Sequence, residues 1–290
     1  MQVFTSSHLT FTKNAVCGIG SFDGVHRGHQ EIVRKLKKRA GSKKRTGIIT
    51  FTPLPFFVIH SAPVLTLTLK REKERLFEEL DIDFMYYFKF TRRFADILPG
   101  DFTSLIAQRV APSLVVVGEN FHFGKQRRGS AHMLKEYARD MFSVEVLPRV
   151  SDDGTISSTR IRELLLLGHV HAAHKLLGRP YAITGLVIRG KGKGSELGFP
   201  TINLKVSTEK LMPLDGVYKV RVHLLGRTYW GAMFCRHELL EVHILDFSGD
   251  VYRRHATVEL IERIRSVERF DTDEALRRAI SRDVETVSKE

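Results

Sequence analysis

Residues 16–33 read VCGIGSFDGVHRGHQEIV and place a short apolar strand directly before an amphipathic helix. Gly24 and Gly28 lie in the turn between them, where glycine allows the backbone to approach a ligand closely. Amide groups at a helix N-terminus and the helix dipole attract anions, and the imidazoles of His26 and His29 add donors for charge that grows on a departing pyrophosphate. This stretch therefore predicts a polyphosphate site at a strand-to-helix turn. A lone histidine would more often fill a turn, but the His-x-Gly-His spacing favours the functional interpretation.

The alternation of strand and helix continues outward from this stretch to residue 150. Short apolar runs bounded by glycine or polar residues predict buried strands at 14–20, 46–51, 83–90 and 113–118. Amphipathic segments between them predict helices at 30–39, 70–80, 101–109 and 131–141. Strands that alternate with helices indicate a parallel α/β sheet.

The second part of the chain has a different pattern. Strand-like stretches at 183–190, 216–225, 228–234, 241–247 and 256–264 follow one another without an intervening helix. This pattern predicts an antiparallel β-barrel. The chain then closes with a predicted helix that Asp271 caps and Glu274 completes as a capping box. With the boundary near Gly178, we expect one domain over 1–178 and a second over 179–290.

Composition narrows the class of protein. At 290 residues, 42% of them apolar and 27% charged, the chain has an ordinary globular composition, which excludes a disordered tail, a collagen-like fibre and a coiled-coil rod. Cys17 and Cys235 are far apart and belong to no Cys/His cluster, so neither a disulfide framework nor a structural zinc site is indicated. There is no export signal or apolar run long enough to cross a bilayer, and we expect a cytoplasmic protein without a membrane partner.

The formal charge of +13 suggests polyanionic partners: nucleic acid, a membrane surface or a small molecule. Eight basic residues lie between Arg34 and Arg45 without an acidic residue among them. Such a run is usually a solvated helix face. A nucleic-acid partner is disfavoured because the positive residues converge on two phosphate-sized loops and one helix face, and no nucleic-acid motif accompanies them.

The motif at 20–29, GSFDGVHRGH, resembles the G-x-F-D-G-V-H-x-G-H of bacterial FAD synthetases, within the nucleotidylyltransferase superfamily that H-x-G-H marks. GENFHFG at 118–124 and ISSTRIR at 156–162 resemble that family's nucleotide-contacting loop and second phosphate segment. The resemblance implies a Rossmann-like nucleotidylyltransferase domain. It also implies catalytic roles for His26, His29 and Arg162, and nucleotide or phosphate binding by Gly20, Phe22, Gly24, Gly28, Asn120, Arg127, Ser158 and Thr159.

The residues of the second segment support a phosphate role by their own chemistry. Ser158 and Thr159 offer hydroxyl and backbone donors at the start of a predicted helix, and Arg162, one turn further on, can bind a phosphate bidentately. Alone, the segment would be interpreted as an ordinary helix cap. The histidine motif shifts that balance toward phosphate binding.

RGKGKGSELGFPTINL at 189–204 carries Gly190, Gly192 and Gly194 beside Lys191 and Lys193, a pattern typical of an anion-binding nest. The extension G-F-P-T-x-N resembles the riboflavin kinase module fused to bacterial FAD synthetases. That resemblance implies that Thr201 and Asn203 hold Mg²⁺ and the phosphates of ATP. It also implies that Glu241, in EVHILDF, is the base for the ribityl hydroxyl. On its own, Glu241 could equally be an outward-facing strand carboxylate.

Two segments depart from the family pattern. The family's F-x-P-H-P has Leu54 at its histidine position, and the connection before EVHILDF lacks the family's N-x-G-x-R-P-T. The common basic residue ahead of I-S-S-T is Thr155 here. The shortened connection leaves open whether the barrel phosphorylates riboflavin or only binds flavin.

The resemblance implies FAD biosynthesis with ATP and Mg²⁺. The first half would transfer AMP from ATP to FMN, giving FAD and pyrophosphate, and the second would phosphorylate riboflavin, with its activity in question. The alternatives are a nucleotidylyltransferase for another acceptor joined to a non-catalytic flavin-binding barrel, and a basic nucleic-acid-binding protein.

Overall fold

The computed structural model describes residues 1–5, 14–59, 65–148, 156–190, 192–237 and 239–289. These residues form two compact units, 1–157 and 158–290. The predicted domain division at Gly178 stays a prediction. Among the described residues, none of the helices combines the length and the hydropathy that a bilayer crossing requires.

The first unit is built on a six-stranded parallel sheet in the order β1-β4-β3-β2-β5-β8. Its strands, together with the short hairpin β6–β7, are β1 (Gln2–Thr5), β2 (Val16–Ile19), β3 (Thr46–Thr52), β4 (Phe84–Lys89), β5 (Leu114–Gly118), β6 (His122–Phe123), β7 (Gly129–Ser130) and β8 (Ser143–Leu147). The helices between them are α1 (Arg27–Ala40), α2 (Pro55–Ile59), α3 (Lys70–Glu79), α4 (Arg92–Ala95), α5 (Pro99–Arg109) and α6 (Ala131–Tyr137).

Helices cover both faces of this sheet, which explains why its central strands are apolar throughout. On one face, Leu36 of α1 and Phe77 of α3 pack against Ile48 of β3. On the other face, Phe102 of α5 and Leu134 of α6 join a separate cluster. The prediction of a parallel α/β sheet is confirmed. The edge strands β1 and β8 are absent from the prediction because β1 is only four residues long and β8 is only partly buried.

The basic run on α1 is a solvated, ion-paired helix face. Lys35 and Arg39 both bind Glu145, with N–O distances of 2.7 and 2.8 Å, and Lys37 lies 2.9 Å from Asp81. Both acids come from elsewhere in the chain, so the run is basic in sequence but partly neutralised in space.

The second unit is a closed antiparallel barrel with the strand order β10-β13-β12-β11-β14-β9. Its elements are α7 (Ser158–Leu166), α8 (Val170–Leu177), β9 (Tyr181–Ile188), α9 (Lys193–Glu196), β10 (Thr201–Lys205), β11 (Gly216–Leu224), β12 (Arg227–Arg236), β13 (Leu239–Ile244), β14 (His255–Arg265) and α10 (Asp273–Ser288). The predicted barrel is confirmed. The strand that sequence reasoning missed is β10, which closes the barrel by pairing with both β9 and β13.

The C-terminal helix is present, but its predicted cap is wrong. Thr272, not Asp271, is the N-cap, and its hydroxyl accepts a hydrogen bond from the Ala275 amide at 3.2 Å. The helix therefore starts at Asp273, and Glu274 stands in its first turn rather than at the third position, where it would complete a capping box.

Candidate active sites

The first candidate site lies where the order of the parallel sheet reverses. Strand β2 is flanked by β3 on one side and β5 on the other, and open α/β sheets bind ligands at such a point, outside the carboxyl ends of the strands. Parallel pairing of Gly18 with Val116 brings the ends of β2 and β5 to the same edge. The turn at 20–26 and the loop at 119–121 therefore leave the sheet side by side.

The two histidines of the motif stack on each other at the start of α1. His26 is the N-cap, with extended backbone, and His29 lies in the first turn. Their ring centroids are 3.6 Å apart and the rings are inclined by 17°. The carbonyl of His26 accepts hydrogen bonds from the amides of His29 and Gln30. Both imidazoles are thus held at a helix N-terminus, where the dipole favours an anion.

The glycines and Phe22 of the motif shape the turn around this pair. A Cβ on Gly28 would lie 3.2 Å from the His26 ring, so glycine leaves room for that imidazole. Gly24 has a φ of 84°, a conformation that glycine adopts without strain. Phe22 is 1% exposed and meets the His29 ring edge-on at a centroid distance of 5.1 Å. Gly20 in turn accommodates the Phe22 ring, 3.3 Å from where its Cβ would be.

The loop after β5 carries the predicted nucleotide-contacting residues. Asn120 is exposed directly beyond β5, and its carbonyl lies 2.9 Å from Nδ1 of His122. Arg127 is exposed in a 3-10 turn after β6. Gly124 lets this turn pack on Pro99, whose ring a Cβ would meet at 3.0 Å. The loop is therefore anchored at its base and presents polar side chains beyond the same sheet edge as the histidines.

Ser158 and Thr159 open helix α7, and Arg162 lies one turn into it. Ser158 and Arg162 are half-buried and Thr159 is exposed. The helix is grouped with the second compact unit. The predicted phosphate binding by these three residues stays a prediction. Thr155 lies outside the described residues.

The second candidate site lies on the wall of the barrel. Asn203 of β10 stands directly opposite Glu241 of β13, and Thr201 stands opposite His243. Directly opposed residues of an antiparallel pair share one face of the sheet. The buried Leu240 and Val242 alternate with Glu241 and point into the barrel core. Glu241 is therefore an outward-facing carboxylate on the same face as Asn203. Its interpretation as an outward-facing strand carboxylate is thus compatible with its predicted role as the base.

The described residues of the glycine-rich segment, 189–190 and 192–200, include two glycines whose backbone lies against this face. A Cβ on Gly190 would lie 2.1 Å from the Asn203 amide nitrogen, and one on Gly194 would lie 3.2 Å from the Thr201 hydroxyl. The loop backbone thus lies directly against both predicted ligands, and Asn203 is 8% exposed. Gly192, with a φ of 79°, precedes the single turn of α9.

If the barrel phosphorylates riboflavin, as the family resemblance implies, Gly190→Ala is expected to reduce this activity at least about ten-fold, because its methyl group has to displace Asn203 or lift the loop. FMN adenylylation by the same preparation is expected to be unchanged. Gly100→Ala is the matched control, since a Cβ there meets nothing closer than 3.8 Å. Steady-state assays of both reactions check this, and full kinase activity in the Gly190 variant would contradict it.

Lys193, predicted to bind phosphate, pairs with the C-terminal helix. Its ammonium lies 2.8 Å from a carboxylate oxygen of Asp273, and the hydrogen bond to Asp273 raises the pKa of Lys193. Both side chains are mostly exposed, so a phosphate could replace the carboxylate at little cost. Lys191 lies outside the described residues.

Each of the two units matches a known protein family. The FAD synthetase family model matches residues 9–160, and the riboflavin kinase model matches residues 177–290. Among curated relatives, the bifunctional riboflavin kinase/FMN adenylyltransferase of Listeria monocytogenes is 32% identical, covering 93% of this chain and 90% of the relative. The Escherichia coli K12 protein of the same name is 34% identical, covering 93% and 91%. This chain belongs to the bifunctional riboflavin kinase/FMN adenylyltransferase family.

A solved structure also matches this chain along its whole length. It is a crystal structure described as a macrolide-efflux protein from Streptococcus pneumoniae, 29% identical, with a TM-score of 0.89 and full coverage of both chains. This chain therefore shares its fold with that protein.

Two departures of this family member from the common pattern have clear structural forms. Leu54, at the position of the family's histidine, is 6% exposed and part of the interior. The family carries N-x-G-x-R-P-T between the positions of β12 and β13, whereas here Arg236 of β12 pairs with Leu239 of β13. Only two residues of the sequence separate this pair, so the connection is too short to hold the family's segment.

Two buried charged residues, one inside the histidine motif and one outside it, hold the first site of this FAD synthetase from behind. Asp23, 2% exposed, accepts hydrogen bonds from the amides of Leu67 and Thr68 and from the Thr68 hydroxyl. Lys73, also 2% exposed, donates to the Ser21 carbonyl at 2.7 Å. Asp23 is thus a structural carboxylate that ties the turn to residues 67 and 68. Lys73 was not predicted from the sequence. The available signal was its position four residues before Phe77, a core residue of the same amphipathic helix.

Proposed function

We propose that this chain makes FAD from riboflavin in two ATP-dependent steps. The barrel phosphorylates riboflavin to FMN, and the α/β unit transfers AMP from a second ATP to FMN, releasing pyrophosphate. Membership of the bifunctional family supports both steps. The observation that carries the proposal is the stacked pair His26 and His29 at the N-terminus of α1, at the reversal point of the sheet.

Adenylyl transfer needs no side-chain nucleophile. A phosphate oxygen of FMN attacks the α-phosphorus of ATP in line, the bond to the bridging oxygen breaks, and pyrophosphate leaves. The task of the protein is to position the reactants and to neutralise charge. His26 and His29 donate to the triphosphate, the amides of the first turn of α1 face the same anion, and Arg162 binds a phosphate from α7. Asn120 and Arg127 contact the nucleotide from the neighbouring strand end.

Phosphorylation of riboflavin uses a base. Glu241 accepts the proton of the ribityl 5′-hydroxyl, whose oxygen attacks the γ-phosphorus while ADP leaves. Glu241 and Asn203 are opposed across β13 and β10, which brings the base next to the residue that holds the ATP phosphates. Gly190, Gly192, Lys193 and Gly194 fold over those phosphates.

The residues of the barrel site fit Mg²⁺ that arrives with ATP. Thr201 and Asn203 offer neutral hard oxygens, which suit Mg²⁺ when the phosphates supply the negative charge. Asn203 is buried against Gly190, so its amide is held in one place. Among the described residues, no group of three or more His, Cys, Asp or Glu side chains forms a metal cage. When bound, Mg²⁺ screens the charge of the transferred phosphate. The cytoplasmic location and the lack of a nucleic-acid partner stay predictions from sequence.

The product profile from riboflavin and ATP tests the proposal. The short connection between β12 and β13 predicts that FMN formation is the slower step. We therefore expect FAD to form from riboflavin while the intermediate FMN stays at a low level, with liquid chromatography resolving the three flavins. Accumulation of FMN without FAD would contradict the adenylyltransferase assignment, and FAD formed only when FMN is supplied would contradict the kinase assignment.

A further inference from the structure

Lys73 is a buried lysine that belongs to none of the family motifs. It lies on α3 and is 2% exposed, and its ammonium donates to the carbonyl of Ser21 at 2.7 Å. Burial disfavours the charged form and lowers the pKa of Lys73 from 10.5 to about 8. Two carboxylates act in the opposite direction, those of Asp23 in the turn and Glu74 on its own helix. A buried cation is costly to retain unless it is paired.

The carbonyl that Lys73 binds belongs to the turn that presents the histidine pair. Ser21 follows β2, and the residues after it adopt left-handed backbone, with φ of 49° at Phe22, 84° at Gly24 and 42° at Val25. For Phe22 and Val25 such values are strained and persist only where the surroundings impose them. The turn therefore depends on the contacts that hold it.

Helix α3 and the segment before it supply those contacts. Thr68 binds both the Asp23 carboxylate and the Gly24 amide, while Lys73 binds the start of the turn. Phe77, one turn after Lys73, meets the Phe22 ring edge-on at 5.4 Å. Phe22 in turn contacts His29, so α3 reaches the imidazole through one intervening ring.

We propose that Lys73 is a positioning residue for adenylyl transfer, whose ammonium fixes the Ser21 carbonyl and thereby the turn that holds His26 and His29. Lys73 acts through the backbone and does not touch substrate. The inference rests on the proposed function of this site. The inference predicts that the rate of adenylyl transfer depends on the protonation state of Lys73, which lies behind the site rather than in it.

Lys73→Met tests the inference, with Arg71→Met as the matched control. Arg71 is an exposed residue on the same helix, so both variants lose one positive charge. We expect K73M to lower kcat for FAD formation at least about ten-fold, with KM for ATP changed less than about three-fold, since misplacement of reacting groups lowers the rate more than binding. Riboflavin phosphorylation reports only on the barrel, so the far-UV circular dichroism spectrum and the melting temperature of the full chain serve as the folding control.

The pH dependence separates positioning from mere stability. As pH rises through about 8, Lys73 loses its proton and becomes a neutral amine, which is a weaker donor to the Ser21 carbonyl. The kcat of the wild type and of R71M should therefore fall there, and K73M should lack this fall. Between pH 8 and 10.5 the unfolded state binds more protons at Lys73 than the folded state does. The group therefore makes the wild type more stable relative to K73M as pH rises. The expected result is therefore that, as pH rises, the kcat of the wild type falls while its stability relative to K73M increases.

Several outcomes of these experiments would overturn the proposed role of Lys73. A K73M protein with a lower melting temperature but unchanged kcat would overturn it. If K73M does not fold, the wild-type profile decides, and a flat kcat between pH 7 and 9.5 would overturn it. An inactive wild type would overturn the proposed function and the inference together, whereas an active wild type with an equally active K73M overturns the inference alone.

Discussion

His29→Ala lowers the rate of FAD formation from FMN and ATP by about 10²–10³-fold, the usual loss when one preorganised donor to transition-state charge is removed. The His29 ring lies between His26, which stacks on it, and Phe22, which meets its edge. Both neighbours hold the imidazole in one orientation. The loss should therefore appear mainly in kcat rather than in KM for ATP.

His132→Ala is the control for this prediction. His132 is an exposed residue of α6 in the same unit, and its removal should leave FAD formation unchanged. Riboflavin phosphorylation should be the same in both variants, which shows that the barrel is folded. Wild-type turnover in the His29 variant would mean that the stacked pair has no part in the transfer.

Glu241→Gln lowers riboflavin phosphorylation by about 10²–10⁴-fold, the range that a positioned general base contributes. The substitution keeps the size of the side chain and its place opposite Asn203, and removes only the ability to accept the proton. FAD formation from supplied FMN should continue at the wild-type rate, because that reaction is assigned to the other unit.

Glu262→Gln is the matched control for the base. Glu262 is an exposed carboxylate on strand β14 of the same barrel, so its loss changes the charge equally. Phosphorylation should be retained in this control, measured as the sum of FMN and FAD formed from riboflavin. Equal rates in the two variants would assign the proton transfer to another group.

Much of the first unit could be predicted from sequence. The central strands β2, β3, β4 and β5 are continuous apolar runs with clear boundaries, so their pattern and the alternation with helices indicated a parallel sheet. The position of His26 and His29 at a strand-to-helix turn followed from the same pattern. Their stacking did not, because it depends on the φ values of the turn and on the room that Gly28 leaves.

The rest could not be predicted because it depends on contacts distant in sequence. Residues 201–205, TINLK, alternate polar and apolar side chains, but the run is only five residues long and directly follows a glycine-rich segment, so its pairing with β9 and β13 was not predicted. Its register then places Asn203 opposite Glu241, thirty-eight positions later in the sequence. Lys73 is hidden for a similar reason, since its partner Ser21 lies 52 residues away.

Labelled ATP gives the most direct test of adenylyl transfer at the histidine turn. The full chain is incubated with FMN, Mg²⁺ and ATP that carries ³²P at either the α or the γ position. We predict that the α label enters FAD and that the γ label leaves in pyrophosphate, with both transfers strongly reduced in His29→Ala. An α label that never reaches the flavin, or that reaches it equally well in the His29 variant, would contradict the account.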